Sequence, residues 1–145
     1  MYKGLVHAHS GLRWIILILL LAAIFNAFSK KKNGIWTAKD KKISLFAMVF
    51  THVQLILGLV LYFMSDYVQF SDGFMKNPIY RFYSIEHITL MILAIIAITV
   101  GYSKSKRAAS DIQKFKAVFT WYVIGLLLIL AGIPWPMRIE TAGWF

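Results

Sequence analysis

The residues of this chain that can do chemistry stand where such residues are costly. His7, His9, Arg13, His52, Gln54, Glu86 and His87 lie in or at the edges of long apolar runs, with Asn26 near the end of one. All four histidines of the protein belong to this set. Ionisable groups in apolar stretches of membrane length are expensive to bury and commonly mark a site. Imidazole is a good ligand for iron, and two imidazoles on one iron leave no open position for oxygen chemistry, which favours electron transfer.

The elements that must position these side chains follow from the apolar runs themselves. A span needs about 20 mostly apolar residues to cross a hydrocarbon core of roughly 30 Å. Four stretches qualify, at about residues 5–28, 43–63, 83–102 and 117–133. Each is longer than a typical strand and lacks polar alternation, so helix is the expected state. Hydrophobic residues make up 59% of the 145 and mean hydropathy is +0.66, above the roughly 45–50% of soluble domains. The expected fold is all-α: one domain, 1–145, forming a membrane-spanning up-down-up-down four-helix bundle with connections of about 14 to 19 residues. Asn77-Pro78 predicts a helix start, Pro134-Trp135-Pro136 a helix stop, and Trp and Tyr near the span ends an aromatic belt.

Charge predicts orientation. Sixteen Lys and Arg face six Asp and Glu, a net +10. Segment Ser29–Lys42 holds six Lys and Ser103–Lys116 five Lys or Arg, together eleven of the sixteen. Ser65–Arg81 holds two, and the C-terminal tail one. Basic loops stay in the cytoplasm, which places both termini and the Ser65–Arg81 loop outside. The same asymmetry accounts for the basic net charge without a nucleic-acid partner, because the lysines fall between apolar runs rather than on an amphipathic face. The first run is too long for a signal-peptide core, and Ser29–Lys32 reads as a stop-transfer flank, so no cleaved signal is expected.

Depth then selects among the histidines. At 1.5 Å per residue, His9 lies about 6 Å below the outer edge of the first span and His87 about 6–7 Å below that of the third. His52 lies about 16 Å deep in the second, near the midplane. The first and third helices of such a bundle sit diagonally across its core. His9 and His87 at matching depth can therefore face each other and ligate one iron axially, with a porphyrin between the other two helices. His52 is the competing partner of His87. Arg13, one turn below His9, and Arg81, near the outer end of the third helix, are candidate partners for a propionate.

Plainer readings stand beside these. His52 can be a hydrogen-bonded packing residue with Thr51 or Gln54, and His7 can be merely interfacial. Arg13 can snorkel to the headgroups. Glu86 can serve His87, carry protons, or sit exposed at the helix start. Small residues such as Gly11, Gly58 and Ala94 can be ordinary helix contacts rather than room for a macrocycle. Other chemistries fail on inventory. There is no cysteine, only Glu86 supplies a carboxylate at membrane depth for a zinc or di-iron site, no intramembrane Asp completes a Ser-His-Asp set, and no glycine-rich phosphate loop occurs.

The string HAHSGLRW (His7–Trp14), with DKK (Asp40–Lys42), HVQLILGLVLYF (His52–Phe63), Glu86-His87 and IPWP (Ile133–Pro136), resembles a family of small four-helix bacterial membrane proteins labelled cytochrome B. The likeness spans nearly the whole chain and includes His7, His9, Arg13, His52, Glu86 and His87. It implies a b-type haem (haem b) with histidine ligands, in the bacterial inner (cytoplasmic) membrane. The expected function is then electron transfer between a quinol or partner subunit and an acceptor on the outer side, as a carrier rather than a stand-alone enzyme. The competing expectation is a cofactor-free accessory subunit or assembly factor of a larger membrane complex, with the aromatic tail from Pro134 as a docking or anchoring element.

Overall fold

The computed structural model describes residues 1–145 and is all-helical. Helix α1 is Tyr2–Lys30, α2 is Ala38–Met64, α3 is Pro78–Arg107 and α4 is Asp111–Gly132. A 3-10 turn, Phe74–Lys76, interrupts the α2–α3 connection, and an irregular tail follows Gly132. All four helices are long and apolar enough to cross a membrane. The chain is a multi-pass membrane protein.

Large side chains such as Ile18, Phe25, Ile56, Phe63 and Leu127 stand exposed around the bundle. Apolar residues facing outward as well as inward are what a lipid-facing helix requires. The inward stripes keep a three-four spacing: Ile16, Leu20, Ala23 and Ala27 on α1; Ala94, Ile98, Gly101 and Ser105 on α3; Phe115, Val118, Tyr122, Gly125 and Ile129 on α4. This is the spacing of left-handed helix pairs. Helix α1 packs against α2 and α4, and α3 packs most closely against α4. At that seam Gly125 faces Ile98 and Gly101 faces Trp121, each so close that a Cβ would collide. The remaining seam, α2 against α3, is the loosest, and α1 and α3 stand on a diagonal.

The turns are shorter than the sequence predicts. Only residues 31–37 join α1 to α2 and residues 108–110 join α3 to α4, because the basic segments are largely helical. Lysine is a good helix former, and both helix starts are capped. The Asp40 carboxylate accepts from the Thr37 amide and hydroxyl, both at 2.8 Å, and the Ser110 hydroxyl accepts from the Gln113 amide. Asn77 caps α3 through Ile79 and Tyr80, as its position before Pro78 predicts.

Candidate functional site

Two interruptions of regular helix build the site. The first is a single π-helical turn, Phe82–Glu86, inside α3, where the His87 amide donates to the Phe82 carbonyl five residues back. One extra residue in the turn rotates every side chain beyond it, and such turns recur at functional sites. The second is the end of α4. The last carbonyls of a helix have no partners of their own, and Pro134 and Pro136 have no N–H to supply. Side chains supply them instead. The Leu130 carbonyl accepts from the Trp135 indole at 3.0 Å, and the Ala131 carbonyl from Arg138 at 2.9 Å. The Gly132 carbonyl accepts from His87 Nδ1 at 2.7 Å. A carbonyl only accepts, so His87 Nδ1 carries the proton and Nε2 is left as a free lone-pair donor.

His9, one helix away on the diagonal, meets that ring. The two ring centroids are 6.3 Å apart with planes at 72°. His9 Nδ1 is buried without a partner. Its ring lies over Gly58 of α2, with Cε1 3.1 Å from where a Cβ would stand, so the absence of a side chain at residue 58 makes the seat. Gln54 fastens this wall by donating to the His9 backbone carbonyl at 2.8 Å.

Both rings line a cavity of about 240 Å³ at the end of the bundle that carries the chain termini. Beyond Thr51, α2 has no fully buried residue, and its stretch from Gln54 to Tyr62 forms one wall. No acidic side chain lines the cavity, and Arg13 is its one charged side chain. Arg13 does not snorkel. It is 8% exposed, its Nη2 donates to the Trp144 carbonyl at 2.7 Å, and its Nε is buried without a partner. Trp14 donates to the same carbonyl at 3.0 Å. The tail thus folds back over the cavity and packs through Trp135 and Trp144.

The other candidates lie elsewhere. His7 is exposed on α1. His52 donates through Nδ1 to the Met48 carbonyl of its own helix at 2.8 Å, and its Nε2 is 3.4 Å from the Thr99 hydroxyl. It sits between α2 and α3, with neighbours other than Thr51 and Gln54. Arg81 pairs with Glu86 at 2.8 Å, and Arg138 approaches the same carboxylate at 3.9 Å. Neither Arg81 nor Glu86 lines the cavity. Tyr83, stacked on Tyr67 at 5.5 Å, and the Thr141–Gly143 segment do line it, although neither charge nor depth points to them in the sequence. Aromatic residues at a span end look like belt residues, and an irregular tail gives no periodicity to read.

The donor set fits a b-type haem. Two metal–nitrogen bonds of about 2 Å and two imidazole half-widths come to about 6 Å, close to the observed 6.3 Å. A ligating histidine also commonly ties its other nitrogen to a carbonyl, as His87 does. The cavity, at about 240 Å³, is below the roughly 300–1,000 Å³ of sites for drug-sized ligands. No group of three or more His, Asp or Glu gathers anywhere in the protein as an alternative metal site. No protein-family model, no curated protein and no solved structure matches the chain.

Proposed function

We propose that the chain is a membrane b-type cytochrome that passes single electrons between a quinol or partner subunit and an acceptor on the outer side of the membrane. The observation that carries this reading is the pair His9 and His87, facing across one cavity at the separation that a single shared metal requires. His87 presents Nε2 on a ring locked by Gly132, and His9 presents a ring with an unpartnered nitrogen. A haem held there by His9 and His87 would supply one-electron exchange. Arg13, the sole charged side chain on the wall, is placed to neutralise a propionate by charge-assisted hydrogen bonding. The tail and an apolar wall flank the ring pair.

The test is optical. Protein purified from haem-supplied cells is expected to show the Soret band of a low-spin b-type haem. His87→Ala and His9→Ala should each abolish it or convert it to high spin, and His52→Ala should leave it unchanged. A colourless wild-type protein from such cells overturns the reading and favours a cofactor-free accessory subunit. A spectrum lost in His52→Ala but kept in His9→Ala moves the second ligand to α2.

A further inference from the structure

At the opposite, lysine-rich end a second hollow of about 130 Å³ is lined by Trp36, Lys41, Ser105, Lys106 and Lys114. Its three lysines come from three helices: Lys41 from α2, Lys106 from α3 and Lys114 from α4. No carboxylate lines it, and none of the three lysines takes part in an ion pair. Of the two acids at this end, Asp40 is fully buried and already committed to Lys30, Asn26 and Thr37, and Asp111, in the first turn of α4, neither lines the hollow nor forms an ion pair. Ser105 spends its proton on the Tyr102 carbonyl at 2.7 Å. Trp36, packed on Phe115 at 5.0 Å, adds a donor-only side chain.

Flexible ammonium groups of like charge separate into water unless something negative holds them together. Here three helix backbones bring three lysines to the lining of one hollow, Lys41 and Lys106 exposed and Lys114 half-buried. The volume is about four times the roughly 30 Å³ share of one water, enough for a phosphate group with a water or two and too small for a nucleotide. The hollow lies where the apolar spans end, at headgroup level, and basic pockets between spans are known to take anionic headgroups. We propose that it binds a phosphate oxyanion, supplied by the headgroup of an anionic phospholipid. The site is independent of the histidine cavity and of the function assigned to it.

The experiment compares wild type with two triple variants that lower the charge equally. K41Q/K106Q/K114Q removes the lining lysines, and K32Q/K39Q/K42Q removes exposed lysines of the same end outside the hollow. Binding of phosphatidylglycerol and of phosphatidylcholine is read by native mass spectrometry of the detergent-solubilised protein. Wild type and the control triple should retain one phosphatidylglycerol in preference to phosphatidylcholine, and the lining triple should lose on the order of a hundredfold in affinity. Equal losses in both triples, or wild-type affinity in the lining triple, overturn the proposal. In a second arm inorganic phosphate is titrated. Displacement of the lipid by phosphate, itself abolished in the lining triple, makes soluble phosphate the source, and no displacement makes it the lipid. If the lining triple does not fold by circular dichroism, the single variants decide: K106R should keep the preference and K106Q weaken it, and equal behaviour of these two overturns the site.

Discussion

His9 and His87 differ in how their rings are held. His87 is fixed from behind by a carbonyl that Pro136 cannot serve, whereas His9 is held by shape, its ring filling the space that Gly58 leaves. Residue 58 therefore tests the seat without replacing either histidine. Gly58→Leu overpacks that space, a change that costs about 1–3 kcal/mol in a packed interior. Haem affinity is expected to fall about tenfold or more, with helix content by circular dichroism unchanged and Gly58→Ala intermediate. A wild-type Soret band and affinity in Gly58→Leu would remove His9 from the seat. The facing pair was legible in the sequence because helical rise converts residue number into depth, and a diagonal pair needs only equal depth. The partners of His52 and Arg81 were not legible. Thr99 reaches His52 from another helix. Arg81 and Glu86 are five residues apart, a spacing that does not pair on an α-helix but does across a π turn.

At the scale of helices, the two ends of the bundle are held by different means. The end with the chain termini is closed by irregular chain, the tail and the π turn, around a cavity. The lysine-rich end is closed by short turns and a polar knot. Asp40, fully buried at the start of α2, accepts from Lys30 at 2.7 Å, from Asn26 at 2.8 Å, and from Thr37 twice. It thereby pins the last turn of α1 to the first turn of α2. Nearby, Tyr122 of α4 donates to the Ser44 carbonyl at 2.7 Å, across the other diagonal. Spans and caps were readable from apolar length and from Thr37, Asn77 and Ser110. The turn lengths were not, because lysine serves a helix end as well as a loop. Asp40→Ala leaves Asn26 and the Thr37 amide without their acceptor, at a cost of about 2 kcal/mol after allowance for the partly exposed Lys30. Thermal unfolding in detergent should shift downward by several degrees, while the haem spectrum, at the far end, stays as in wild type. A spectrum altered as much as the melting point would mean that the two ends are coupled.

For the whole molecule the question is which end faces the cytoplasm, because that decides on which side the proposed haem site would exchange electrons. The end of the bundle built from residues 29–42 and 103–116 carries eleven basic residues against Asp40 and Asp111, a net +9. The opposite end carries Lys3, Lys76, Arg81 and Arg138 against Asp66, Asp72, Glu86 and Glu140, a net zero. Arg13, inside the bundle, completes the +10. A membrane potential negative inside adds about 2.3 kcal/mol per elementary charge per 100 mV to any preference for keeping a cation in the cytoplasm, so the eleven Lys and Arg of the one end against four of the other favour the orientation expected from the sequence. In that orientation the cavity and its tail would face outward, on the side where the proposed function puts the acceptor. The protein has no cysteine, so single reporters can be introduced cleanly. Gly73 is a poor site for one, because its φ of 81° strains any other residue, but Ser71 beside it and Ala109 in the α3–α4 turn are both exposed. Ser71→Cys should react with a membrane-impermeant maleimide on intact cells, and Ala109→Cys only after permeabilisation. The reverse pattern would turn the cavity to the cytoplasm and take the outer acceptor with it, while leaving the histidine pair as it is.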